Sequence, residues 1–158
     1  MAARSSEARW QWSFRPGQLI WRLSDSLRQA KQRRLLTPDA ALGRRGEDVA
    51  HRYLQRAGFT VIARNYRPGA DSEIDIVARQ GEITVFVEVK SRTSAEFGSP
   101  DRAIDQEKRK HILRAAQSFM TRAGIDWNQV RFDVISVVFS DPPEIDHLQD
   151  AFFEGRAV

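Results

Sequence analysis

The chain has 158 residues, 41% of them hydrophobic and 29% charged, enough for one domain with its own core and too few for two. No run approaches the ~20 apolar residues that a helical bilayer crossing needs, and the lack of cysteine excludes a disulfide framework, a thiolate zinc site and a cysteine nucleophile. The net charge of +4 divides unevenly: residues 1–45 carry ten Arg and Lys against three acids, and residues 46–158 carry fifteen against eighteen. Such a basic N-terminal part suits an anionic partner, nucleic acid or a membrane surface, or serves solubility alone.

Residues 1–38 read as a basic arm and residues 39–158 as the domain. In the arm, Trp10, Trp12 and Phe14 alternate with polar residues among Arg4, Arg9 and Arg15. From Gln18 to Leu36, the residues Leu19, Ile20, Leu23 and Leu27 share one helical face while arginines and Lys31 populate the rest, the pattern of a basic amphipathic helix. With Trp10, Trp12 and Trp21 it could stack on bases, settle at a lipid interface or simply dock on the domain.

Thr37-Pro38-Asp39 predicts a helix start, and Gly46, Ala50, Tyr53, Leu54 and Ala57 recur at core spacing up to a stop at Gly58. Phe59 to Arg64 alternates as a strand does, and Asn65 to Ser72, with Pro68 and Gly69, reads as a loop. The runs Glu73–Ala78 and Ile83–Lys90 flank Gln80-Gly81, which predicts a β-hairpin turning on those two residues. After a polar loop to Pro100, a long helix is predicted from Asp101 to Arg122, then a buried strand from Val130 to Phe139. Asp141-Pro142-Pro143 breaks that strand, and Ile145 to Leu148 reads as a last edge strand. The order implies a mixed α/β domain with a central sheet and helices on its faces.

The hairpin carries the chemistry. A Gln80-Gly81 turn sets Arg79 against Glu82 and Asp75 against Phe86, with Glu88 diagonal to Asp75 and Lys90 two residues beyond on the same face. Two carboxylates and an ammonium then converge on strands that are otherwise apolar, where an unpaired charge costs several kcal/mol. An in-strand Glu88–Lys90 ion pair on a solvent-facing edge accounts for the same pattern. Two neighbouring carboxylates repel, and a hard divalent cation with oxygen ligands resolves that repulsion.

The runs Gly46-Glu47, Glu73-Ile74-Asp75-Ile76-Val77-Ala78 and Phe86-Val87-Glu88-Val89-Lys90-Ser91-Arg92 resemble the YraN family of bacterial proteins. That family is similar to the Holliday junction resolvases of the PD-(D/E)xK, or restriction-endonuclease-like, nuclease superfamily. The resemblance spans about Leu42 to Phe153, with Phe97-Gly98-Ser99-Pro100, Arg131-Phe132-Asp133-Val134 and Ala151-Phe152 also fitting; Ser72 stands where many relatives have glycine. It implies a restriction-endonuclease-like mixed sheet around a central antiparallel hairpin, and hydrolysis of phosphodiester bonds in DNA, branched or structured DNA included. By that resemblance Asp75 and Glu88, with the Val89 carbonyl and Glu47, would hold Mg²⁺ or Mn²⁺. Lys90 would orient the attacking water and stabilise developing charge, while Arg92, Gln106 and Lys108 would contact nucleic acid, DNA in preference to RNA.

Each assignment has a plainer counterpart. Glu47 suits a helix N-terminus by its charge alone, and Gln106 and Lys108 suit a helix start. His51, His111 and His147 share no ligand spacing, and Asp133, in a buried strand, suits pairing with an arginine. The rival functions are a nucleic-acid-binding module that does not cut, and an interaction protein recruited to a membrane or partner by its arm. The arm's composition would also fit a transit peptide, but the bacterial family favours a cytoplasmic protein, and a homodimer would suit symmetric cutting of two strands.

Overall fold

The computed structural model describes residues 37–93 and 106–152. The predicted amphipathic helix, the Phe97-Gly98-Ser99-Pro100 segment and the predicted start of the long helix lie outside the described residues. The elements are α1 (Pro38–Arg56), β1 (Thr60–Gly69), β2 (Ser72–Gln80), β3 (Ile83–Arg92), α2 (Gln106–Ala123), a 3-10 turn (Trp127–Gln129), β4 (Val130–Val138) and β5 (Glu144–Leu148). They form one five-stranded sheet in the order β1-β2-β3-β4-β5. Every neighbouring pair is antiparallel except β3 and β4, which run parallel from Thr84↔Val130 to Arg92↔Val138. The parallel pair requires a crossover, and α2 lies within it.

Each helix covers one face of the sheet with a narrow stripe of small and aliphatic residues. Gly46, Ala50 and Leu54 of α1, spaced by four, are buried, and Ala50 and Leu54 pack with Ile76, Val85, Val87 and Ile135. Ile112, Ala115, Ala116 and Met120 of α2 pack on the opposite face, where Phe86 meets Phe132 at 5.4 Å and Phe119 at 5.7 Å between ring centroids. Gly58 takes φ +85 and closes α1, with the Phe59 N–H donating to the Leu54 carbonyl at 2.9 Å, a turn that a side chain with a Cβ adopts only under strain. No described helix is long and apolar enough to cross a membrane.

Two expectations are corrected. The segment from Asn65 to Gly69 is not a loop: β1 continues to Gly69 and β2 begins at Ser72, with register shifts between Val61 and Ala63 and between Tyr66 and Gly69. These bulges absorb the Asn, Pro and Gly that read as turn signals. The hairpin turns on Gly81-Glu82, since Gln80 pairs with Ile83 and Val77 with Phe86. Gly81, at φ +59, supplies the left-handed residue of the turn. The register therefore differs by two residues from the expected one, and because side chains alternate with a period of two, each still faces the predicted side of the sheet.

Candidate active site

The β2–β3 ladder runs from Gln80↔Ile83 to Ile76↔Val87 and stops there. One step further, Asp75 stands directly opposite Glu88 rather than diagonal to it. At this fork the Val89 N–H donates to Asp75 Oδ2 at 2.8 Å, so a carboxylate replaces a strand carbonyl as its acceptor. β3 meanwhile stays paired to β4 through Arg92. The site therefore lies where the two strands part, on the edge of the core rather than inside it.

Glu88 is 11% exposed and Lys108 38% exposed, and Glu88 Oε1 lies 3.0 Å from Lys108 Nζ. Glu88 Oε2 is buried and has no hydrogen-bond partner, a costly state for a carboxylate oxygen. Burial, and then the charge of Glu88, push the Asp75 carboxyl well above the ordinary aspartate pKa, against the opposing Val89 N–H and Lys108 charge; Glu47 adds to the rise. Burial also raises Glu88, against the charge and hydrogen bond of Lys108, a hydrogen bond with the Asp75 carboxyl and the charge of Lys90. Burial works against the Lys108 ammonium, but Glu88, Asp75 and Glu73 outweigh it and raise its pKa above the usual lysine value. Two carboxylates and two lysines thus act on one another in one cluster.

Glu47 comes from the other face. Its Oε2 accepts from Asn65 Nδ2 at 2.8 Å and from Arg64 at 3.5 Å, and the same guanidinium reaches Asp48 at 2.7 Å. α1 reaches this position because Gly46 has no side chain: a Cβ there would lie 1.7 Å from Ser91 Oγ and 2.9 Å from Ser91 Cβ. Asn65 takes φ +48, a left-handed conformation that Asn tolerates better than other residues with a Cβ, at a cost of about 1 kcal/mol. The sequence offered one signal for it, an asparagine inside an otherwise strand-forming run.

Asp75, Glu88 and Lys108 come together; Glu47 is held by Arg64 and Asn65, and its charge is the smallest of the named influences on Asp75. Among the described residues no three His, Asp or Glu side chains converge as a ready-made metal cage. Lys90 is half-buried on the face of Glu88 and pairs in register with Ser136. Arg92 ends β3, its carbonyl accepting from the Phe139 N–H at 2.9 Å, and Gln106 is exposed at the first described turn of α2. The orphaned Glu88 oxygen beside a second carboxylate fits an oxygen-seeking divalent cation.

Asp133 and the histidines make contacts elsewhere. Asp133 is fully buried and accepts from Arg131 at 2.8 and 3.0 Å, from His147 Nε2 at 2.8 Å and from the Asp150 N–H at 3.1 Å. Burial opposes its charge, yet the hydrogen bonds from His147 and Arg131 and from Asp150 hold it below the ordinary aspartate pKa. His147 itself packs edge-on to Tyr53. His111 Nδ1 contacts the Asp71 carbonyl, and His51 Nδ1 is buried without a partner, its pKa lowered by burial and then by Arg64.

The model of the uncharacterised protein family UPF0102 matches residues 46–137, which contain Glu47, Asn65, Asp75, Glu88, Lys90 and Lys108. A UPF0102 protein of Solibacter usitatus is 46% identical over 135 residues, covering 85% of this chain and 98% of that protein. One from Rhodococcus jostii is 40% identical over 71% of this chain and 96% of its own length. A third, from Geobacter sulfurreducens, is 44% identical over 70% and 88%. The matched region carries the whole site and most of the sheet, and the chain belongs to the UPF0102 (YraN) family.

Proposed function

We propose that this protein is a metal-dependent endonuclease of the restriction-endonuclease-like kind, hydrolysing phosphodiester bonds in DNA, with branched or otherwise structured DNA among its substrates. The observation that carries the reading is the Asp75–Glu88 pair: opposed carboxylates at the fork of two core strands, both pushed toward protonation, with one buried oxygen of Glu88 unpartnered. Asp75 and Glu88 would hold Mg²⁺ or Mn²⁺, with the Val89 carbonyl and Glu47 as further oxygen donors. Such an ion, when bound, would polarise the phosphodiester and lower the pKa of a water.

The chain's own residues would do the rest. Lys90 would orient the attacking water and offset charge building on the phosphate oxygens. Lys108, already 3.0 Å from Glu88, would keep that carboxylate ionised and offer positive charge to the strand, while Arg92 and Gln106 would line its path. DNA is favoured over RNA by the resemblance, a cytoplasmic setting agrees with it, and a homodimer would place two sites for paired cuts.

A binding module that does not cut is the second reading, favoured by one observation: the Lys108–Glu88 ion pair already gives the acidic cluster a counter-charge. Cleavage of labelled single-stranded, duplex, flap and four-way-junction DNA with Mg²⁺ or Mn²⁺ separates the two. Endonuclease action gives product with wild type and none with Asp75→Ala or Lys90→Ala. Salt-sensitive binding without product from any of them would favour the module.

A further inference from the structure

We propose that Asn65 is a positioning residue whose left-handed backbone turns it and Arg64 together onto Glu47 and holds that carboxylate beside the Asp75–Glu88 pair. The inference rests on the metal-site reading given above and assigns the part of that site which comes from β1.

Consecutive residues of a regular strand point to opposite faces of the sheet. Arg64 and Asn65 are consecutive in β1, yet both donate to the same oxygen of Glu47, at 3.5 and 2.8 Å. Ala63 and Tyr66 show the same break in phase: three residues apart, they should face opposite ways, but both pack on the α2 side of the sheet. The break falls at Asn65, whose φ is +48, and the β2 partners of Ala63 and Tyr66, Val77 and Ile74, likewise both pack on that side.

Its location is specific. Arg64 pairs with Ile76 and Tyr66 with Ile74, so Asn65 lies opposite Asp75, and Asp75 lies opposite Glu88 on the next strand. The strained residue and the two carboxylates therefore occupy one row across β1, β2 and β3. Strained backbone persists where surrounding structure over-determines it, typically at functional sites. Here it delivers an amide donor to Glu47, while Asp48, the next acid of α1, takes the shorter contact with Arg64. Glu47 is partly buried at 15% exposure and its charge bears on Asp75, so fixing its carboxylate fixes the field at the pair. Hydrogen-bond partners that orient a ligand typically change metal affinity 10–100-fold when removed.

The test titrates Mn²⁺ alone into the full chain by calorimetry, with wild type, Asp75→Asn, Asn65→Gly, Glu47→Gln and the Asn65→Gly/Glu47→Gln double variant. Glycine accepts the left-handed backbone and removes only the amide, so the fold is kept, which thermal unfolding checks. Asn65→Gly is expected to weaken Mn²⁺ binding about 10-fold and to add no further loss in the Glu47→Gln background, since it acts through that carboxylate. Unchanged or tighter binding by Asn65→Gly overturns the proposal, as does an equal loss in both backgrounds. Wild type that binds no Mn²⁺ through Asp75 overturns the metal-site reading and this positioning role together, whereas Asp75-dependent binding untouched by Asn65→Gly overturns the positioning role alone.

Discussion

Replacing Asp75 with Asn should make the protein more stable at neutral pH while disabling the site. Asn keeps an oxygen for the Val89 N–H and removes a charge that stands opposite Glu88. The two carboxyls lie within hydrogen-bond reach of each other. Two charges about 4 Å apart repel by about 4 kcal/mol at an effective dielectric of about 20 and by about 1 kcal/mol in water. Some attraction to Lys108 is lost as well, which leaves a net gain of about 1–2 kcal/mol. The sign depends on pH. The folded Asp75 pKa is raised, so between the unfolded value, about 3.9, and the folded one the native state holds the extra proton. Wild-type stability then falls as pH rises through that window, and the gain from Asn is complete above it and absent below it. Urea unfolding of both proteins from about pH 4 to about pH 8 measures this. A variant no more stable than wild type at the alkaline end, or a gain that does not change with pH, would refute the reasoning.

Asp133→Ala should cost about 3–5 kcal/mol, because it strands the Arg131, His147 and Asp150 donors around a fully buried position. Its folded pKa is depressed, so this contribution is present above the unfolded aspartate pKa and is lost as pH falls through the folded value; urea unfolding of wild type and variant at neutral and acid pH shows the gap closing. Gly46→Ala drives a Cβ into Ser91 and should cost about 1–3 kcal/mol, with recovery in the Gly46→Ala/Ser91→Gly double variant on thermal unfolding. Lys108→Met should lower the midpoint of urea unfolding by about 1 kcal/mol in stability, a value kept small by the partial exposure of Lys108, and Mn²⁺ should raise the thermal midpoint of this variant but not of Asp75→Asn.

The sheet and helices were legible where periodicity alone decides them. β4 and β5 follow from a dense β-branched run and the break at Pro142, and α1 from Ala50 and Leu54 at helical spacing. The face shared by Asp75, Glu88 and Lys90 survived a two-residue error in the turn, because that error preserves parity. It was Gly81 that mattered: the glycine is the first turn residue rather than the second, and only the paired strands decide between those registers. Asn65 to Gly69 misled because Asn, Pro and Gly punctuate loops far more often than bulged strands. Contacts between residues distant in sequence were beyond local pattern. Nothing near Glu47 reveals that Asn65 will reach it, and Gly46 read as an ordinary core position although its lack of a Cβ is what admits Ser91. Lys108 reads as a helix-start charge until α2 is laid across β3.

The most direct measurement is cleavage of end-labelled four-way-junction DNA by the full chain, first with EDTA and then along a Mn²⁺ titration, with wild type beside Asp75→Ala and Glu88→Ala. A metal-dependent nuclease gives no product in EDTA, product that grows with Mn²⁺ for wild type, and none for either variant although both remain folded and bind the junction. Product that ignores the metal, or that either variant makes as well as wild type does, would contradict that reading.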